Sequence, residues 1–375
     1  MDTKLHSPIT DHHSHVDAAN PLKRNRAPNS KKARLALALL LLAGFPAMLQ
    51  SQPDPLNLTL PTDNDAIYRS DGPEFYQYIE RDYQGVKSTP WEGGQYGFVR
   101  DPVETPAGIV FTRLHEGIDI RPLQRDEHGE PVDQVRAIAP GVVVHTNLVP
   151  GYSNYGKYVV VEHHWDGSNY YSLYAHLNSI QVHVGERVQQ RDQLGVMGHT
   201  GEGLNQTRAH LHLELNLMLS RQFESWHDSL FKKDPNRHGL YNGLNLAGMD
   251  VARLYLELRK RPSLTIPEFL AEEETLYRIR FPDSRHFDLK RFYPWMLAQK
   301  NGVKPESWEV SFNREGVPLK IEPSEKRVGG PELCYFKRGE VDPSYQMRGL
   351  IAGRGESAHL TEKGRQFMRL LIYPD

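Results

Sequence analysis

The spacing of apolar positions changes character several times along the chain. Residues 35–49 read LALALLLLAGFPAML, uncharged and apolar on every face. That excludes a helix half-buried on a core and fits the hydrophobic region of an export signal, or an N-terminal anchor. A helix of this length spans roughly 22 Å, short of the ~30 Å of bilayer hydrocarbon. Residues 51–73 open on SQPDPLNLTLPTDNDA, rich in Pro, Asp, Asn and Thr and without period, as a linker would be. From Phe98 to Leu219 the runs are short, β-branched and aromatic (GVVVHT, KYVVVEHH, NYYSLYAHL, AHLHLELNL), with Gly, Pro, Asn and Asp between them. This predicts an all-β region of short strands. Helical spacing follows at Val251–Lys260, Ile266–Arg280 and Arg285–Lys300, strand-like runs at Trp308–Ile321 and Tyr335–Ile351, and a helical pattern at Thr361–Leu371. The expected architecture is a mainly β domain of antiparallel sheets over 74–220 and an α+β region of unassigned role over 221–375.

Composition narrows the function classes. The 375 residues are 38% apolar and 25% charged, enough for a full core, so disorder is excluded. The formal charge of −2 carries no global basic field, and nucleic acid is not an expected partner. The charge is nevertheless uneven: residues 1–34 form a basic segment, with Lys31, Lys32 and Arg34 directly before the apolar run. Basic segment and apolar run together predict export, to the periplasm or cell envelope, with anchoring to the inner membrane by residues 35–49 as an option. One cysteine, Cys334, excludes an intramolecular disulfide and a Cys-rich zinc site.

Histidine is abundant, with 18 in the chain, and two clusters have the spacing of a site. In Ala209–Asn216, AHLHLELN, His210 and His212 alternate with leucines, so a strand sends every Leu to one face and both imidazoles to the other. A lone His-x-His is more often an ordinary strand than a ligand pair. In Leu114–Ile120, LHEGIDI, His115 and Asp119 lie ~13 Å apart on a straight strand, too far to share a zinc with bonds of about 2 Å. A shared site needs a bend, and Gly117 can supply one through a positive φ or a bulge. A helix is disfavoured there by Gly117, Ile118, Ile120 and Pro122.

These residues resemble the lysostaphin-like (LytM-type) zinc endopeptidases that cut peptidoglycan peptide bridges. The resemblance covers about Tyr96 to Leu219. His115-Glu-Gly-Ile-Asp119 is similar to the family's His-x-Gly-x-Asp element, Tyr174-Ala-His176-Leu177 to its Tyr-x-His-Leu signature and His210-Leu-His212 to its His-x-His element. The resemblance implies a groove between antiparallel sheets. It implies one zinc per chain, held by His115, Asp119 and His212, with His176 and His210 as catalytic histidines and peptidoglycan peptide stems as substrate. Two imidazoles and one carboxylate leave such a centre at net +1 with a position open for water, suited to amide hydrolysis. Which histidine acts as base is left open. The alternative is a catalytically silent relative that regulates another wall hydrolase; such relatives typically lack ligands. A biotinyl or lipoyl carrier is excluded, since no Lys occurs between Lys157 and Lys232.

The chain departs from the family pattern in two loops. Arg121–Gln134 is an insertion after the first motif, and Glu202–Ala209 is longer than expected, with Arg208-Ala209 in place of Gly-Pro. Both are expected to rim the cleft. His199 reads as a rim substitution, His163-His164 as structural or as outer support to a ligand, and Asp11-His-His-Ser-His15 as lying outside the folded body. Glu214 is a candidate to orient a histidine, Glu116 is expected to be solvated, and Tyr152, Tyr155, Tyr170 and Tyr171 are candidates for a peptide groove.

Overall fold

Strands form where the β-branched and aromatic runs predict them. The computed structural model describes residues 55–374 other than 70–71, 81, 88–91, 107, 299–301, 303 and 339–342. The basic segment 1–34, the apolar run 35–49 and the Asp11–His15 tract lie outside the described residues. Among the described residues, no helix is long and apolar enough to cross a membrane.

A seven-stranded antiparallel sheet organises the β region. Its order runs Arg187–Val188, Gly141–Asn147, Tyr158–Trp165, Ser168–Ala175, Leu211–Met218 and Leu246–Gly248, with Ile118–Ile120 also paired to Leu211–Met218. A three-stranded sheet (Leu177–Ile180, Gln193–Met197, Gln134–Arg136) and the hairpin Gly97–Thr105/Gly108–His115 flank it. Alternation then divides the sheet's two faces. Val159, Val161, Tyr174, Leu211, Leu213, Leu215 and Leu217 enter the main core. Tyr158, Val160, Tyr171, Leu173 and Ala175 form a second apolar cluster with Met218 and Leu246. Cross-strand neighbours share a face, so the pairing of His212 with Ala175, Glu214 with Leu173 and Asn216 with Tyr171 puts the polar residues of the central strand on that second side. All eight residues of Leu211–Met218 are buried, polar ones included.

The C-terminal region is α+β, with several elements differing from their expected bounds. Val251–Lys260 is helical as predicted, capped by Asp250, whose side chain accepts from the Arg253 N–H. The helix expected over Ile266–Arg280 ends at Ala271, and Tyr277–Pro282 is a strand instead. The reason is its alternation: Tyr277, Ile279 and Phe281 are buried while Arg278 and Arg280 face outward. Arg285–Lys300 holds only the short helix Leu289–Phe292 and a 3-10 turn at Pro294–Met296; Pro294 lacks the N–H that a continuing helix needs. A four-stranded sheet (Pro318–Ser324, Ser307–Phe312, Tyr277–Pro282, Glu332–Phe336) completes the region.

The main core runs through the whole described chain without a break, from Leu56 to Ile372. The described part of the segment read as a linker contributes to it: Leu56, Leu60, Ala66 and Ile67 are buried. Asn64, with no exposed surface, donates to the carbonyls of Glu74 and Arg121 at 3.1 Å each. Here the Pro- and Asp-rich composition marks irregular backbone that is still packed, because four apolar side chains interrupt it.

Candidate metal and peptide-cleaving site

Strand register builds the site. Asp119 stands directly opposite His212 in the pairing of Ile118–Ile120 with Leu211–Met218. His212 is also opposite Ala175, one residue before His176, and His210 bridges to Gly198 at the entry to the central strand. His115 closes the hairpin strand Gly108–His115, and a break at Glu116–Gly117 turns the chain into Ile118–Ile120. Gly117 does not take a positive φ. Its role is close approach, because a Cβ there would lie 2.3 Å from the Leu213 carbonyl oxygen. The bend brings His115 Nε2 to 3.0 Å from Asp119 Oδ1 and 3.0 Å from His212 Nδ1, and His212 Nδ1 is also 3.0 Å from Asp119 Oδ1. All three residues are buried.

Each ring is oriented from behind. A carbonyl can only accept, so a ring nitrogen that faces one carries the proton. His115 Nδ1 donates to the Gln95 carbonyl at 2.6 Å, His176 Nδ1 to that of Thr200 at 2.8 Å, and His210 Nδ1 to that of Arg208 at 2.7 Å. His212 Nε2 donates to Glu214 Oε1 at 2.7 Å. The remaining nitrogen of each imidazole is therefore a free lone pair in the neutral ring. His210 Nε2 is 3.3 Å from Asp119 Oδ1, and the His176 ring centre is 4.6 Å from that of His210. His176 holds a left-handed φ of 62°, a strain of roughly 1–3 kcal/mol of the sort that collects at functional sites.

Acceptors facing acceptors at 3.0–3.3 Å require positive charge among them. The protonation pattern says the same. Burial favours the neutral ring of His212, yet its bonds to Asp119 and Glu214 override that and push its pKa up to about 9. Burial pulls His115 down to about 4 and His176 well below the usual histidine range. Burial also works against the Asp119 carboxylate, but His115, His210 and Arg100 together hold it well below its ordinary value. A cation at the centre meets the same demand as a proton on His212. The donor set is N, O, N, as zinc prefers, and ligands about 2.1 Å from a tetrahedral ion stand roughly 3.4 Å apart, close to the spacing present. The site residues thus fit a zinc ion, and His115, Asp119 and His212 form the one cluster among the described residues able to hold a metal.

A cleft of about 1220 Å³ opens onto this cluster, lined by His115, Asp119, His176, His210 and His212 together with Tyr152 and Tyr155. Its far wall comes from the C-terminal region, including His227, Phe231, Arg237 and His238, which no sequence pattern signalled. Of the rim expectations, Glu202, Gly203, Leu204 and Arg208 line the cleft, whereas Arg121–Gln134 supports that loop from behind. Tyr170 and Tyr171 are buried on the sheet. Glu116 is half-buried, not solvated, and burial raises its pKa. His163 is remote from the cluster, held by the Pro140 carbonyl and Ser172 Oγ. Glu214 does orient a histidine, holding the His212 ring through Nε2. Arg100, in the strand Gly97–Thr105, joins the site: its Nη2 lies 2.5 Å from Asp119 Oδ2 and its Nε donates to the Gly93 carbonyl. An arginine within a mixed strand carries no signal of such a pairing.

Residues 113–222 match peptidase family M23. The chain is 32% identical over 150 residues to the peptidoglycan DD-endopeptidase ShyA of Vibrio cholerae, across 38% of this chain and 33% of that protein. It is 26% identical over 141 residues to an uncharacterized metalloprotease of Buchnera aphidicola, across 36% of this chain and 33% of that one. The chain spans about a third of the length of the curated relatives it matches. Among solved structures, the catalytic domain of lysostaphin from Staphylococcus simulans is 27% identical with a TM-score of 0.23, over 32% of this chain and 75% of that one. A zinc-containing peptidase from Vibrio cholerae is 25% identical with a TM-score of 0.22, over 38% of this chain and 37% of that one. The motifs, the His-Asp-His cluster and the matched residues coincide, so residues 113–222 are the segment of the chain that is similar to peptidase family M23.

Proposed function

We propose that this protein is an exported zinc metalloendopeptidase that hydrolyses peptide cross-links of peptidoglycan. The observation that carries the reading is the convergence of His115 Nε2, Asp119 Oδ1 and His212 Nδ1 at 3.0 Å, each ring proton being turned outward onto a fixed acceptor. When bound, zinc supplies Lewis-acid polarisation of the amide carbonyl and a lowered pKa for water. The protein's own groups do the rest. Gln95 and Glu214 keep the ligand rings aimed, and Arg100 occupies the second oxygen of Asp119, leaving Oδ1 to the centre. His176 and His210 each present a ring nitrogen beside the cluster, placed to take a proton from attacking water, return it to the leaving amine, or stabilise the oxyanion.

The filled set of five side chains favours hydrolysis over the silent-regulator reading. Cross-links between D-Ala and diaminopimelate are the proposed substrate, and the similarity to a protein named a peptidoglycan DD-endopeptidase favours that reading. Export and inner-membrane attachment rest on residues 1–49 as a sequence signal. The test is metal analysis of the purified protein with digestion of isolated sacculi. We expect about one zinc per chain, release of products whose mass identifies a cut peptide bridge, and loss of both in His212→Ala. Retention of zinc and cleavage by that variant would overturn the site assignment.

A further inference from the structure

The two loops that depart from the family pattern grip one another. Glu130 is the pivot: its Oε2 lies 3.0 Å from His199 Nε2 and its Oε1 accepts from Gln206 Nε2 at 2.8 Å. Gln206 Nε2 also reaches the His128 carbonyl at 2.9 Å, and Arg125 Nη1 donates to the Gln206 carbonyl at 2.8 Å. The insertion is rigid enough to act as a support. Asp126 accepts from the N–H groups of His128 and Glu130, each at 2.9 Å, and buried Asp133 accepts from those of Leu123 and Gln124.

What the insertion holds is the short turn Gln206–Arg208, and the carbonyl of Arg208 at its end accepts the Nδ1–H of His210. We infer that the insertion Arg121–Gln134 is a brace, acting through Glu130, that fixes the Arg208 carbonyl and thereby the tautomer and direction of His210. Glu130 is thus a positioning residue, with no contact to substrate or metal. His176 offers an internal control. The Thr200 carbonyl that orients it is pinned by its own side chain, which accepts from the Lys157 N–H and donates to the Leu177 carbonyl, both at 2.9 Å. Glycines at 156 and 201 let these segments approach, since a Cβ at either would lie within 2.3 Å of backbone. Loss of the brace should therefore disturb His210 and leave His176 in place.

The kinetic part of the test rests on the hydrolase reading, and the spectroscopic part does not. Full-length zinc-loaded protein labelled with ¹⁵N-histidine is compared with Glu130→Ala, Gln206→Ala and Glu130→Gln by long-range ¹H–¹⁵N spectra. Activity is read on a purified D-Ala–diaminopimelate cross-linked muropeptide dimer. Glu130 has 39% of its side chain exposed, so its substitution removes no core packing, and a thermal melt checks the fold of each variant. The expected result is a single Nδ1–H tautomer for His210 in the parent, and averaging between tautomers in both Ala variants. His176 and the zinc content stay unchanged, and kcat falls about tenfold, as a misdirected catalytic ring implies, with KM nearly constant. Glu130→Gln keeps one of the two bonds and falls between. An unshifted His210 in both Ala variants, or an equal change at His176, overturns the inference. A parent that cleaves nothing overturns the hydrolase reading while the tautomer comparison still decides this one.

Discussion

Glu214→Gln is the sharpest test of how the metal cluster is supported. Glu214 is 1% exposed and meets three donors: His212 Nε2 at 2.7 Å and the Tyr155 hydroxyl at 2.6 Å on Oε1, and Asn216 Nδ2 at 2.9 Å on Oε2. Glutamine has the same shape but makes one end a donor. If its amide nitrogen faces Asn216, donor opposes donor; if it faces His212 and Tyr155, the ring loses its acceptor. Either arrangement forfeits a hydrogen bond to a charged group, worth about 1.5–3 kcal/mol where water cannot compensate. Loss of such outer support to a ligand histidine weakens metal binding by roughly 10- to 100-fold. That is about 1.4–2.8 kcal/mol of binding free energy at 1.4 kcal/mol per decade. Competition against a chromogenic chelator at pH 7 reads the affinity, and a thermal melt confirms the fold. Zinc affinity within twofold of the parent, in a variant that melts normally, would refute the idea that Glu214 tunes His212.

Two further outcomes are expected. Gly117→Ala places a Cβ 2.3 Å from the Leu213 oxygen and 2.8 Å from Glu214 Cγ; the strand bearing Asp119 must then move off the central strand. Stability should drop by about 1–3 kcal/mol together with zinc affinity, and a denaturant titration showing no change would contradict the close-approach argument. His163 concerns pH: burial pulls its pKa from 6.5 to about 4, so the folded state binds fewer protons than the unfolded state between those values. Its contribution is complete above pH 6.5 and is lost as pH falls toward 4, up to roughly 3 kcal/mol. His163→Gln should flatten the dependence of the unfolding midpoint between pH 7 and 4.5, and an equally steep curve would show that other groups dominate.

The candidate chemistry was legible wherever it depended on spacing along one strand. AHLHLELN reveals both its core face and its polar face, because side-chain direction on a strand follows from position alone. The need for a bend between His115 and Asp119 was likewise readable from a distance that no straight strand can shorten. Its cause was not, since Gly117 answers to the Leu213 carbonyl on a strand almost a hundred residues away. The linker reading of 51–73 and the helix read through Tyr277 to Arg280 differ from the structure for a related reason. Local composition cannot report that Leu56 and Ile67 find a core, or that Tyr277, Ile279 and Phe281 find a sheet to join.

The same distinction explains why the clustered residue types were readable and their ring orientation was not. Ring orientation is set by the backbone carbonyls of Gln95, Thr200 and Arg208 and by one carboxylate, Glu214. A carbonyl is common to every residue, so no sequence pattern marks the three that matter. Yet these four acceptors come from separate segments, each held by its own contacts: the turn before the hairpin Gly97–Thr105/Gly108–His115, the loop after Met197, the braced turn Gln206–Arg208 and the central strand itself. The tautomers are consequently imposed by the fold as a whole. The inward ring nitrogens therefore already face the centre, and binding an ion would not have to supply the ordering of the rings.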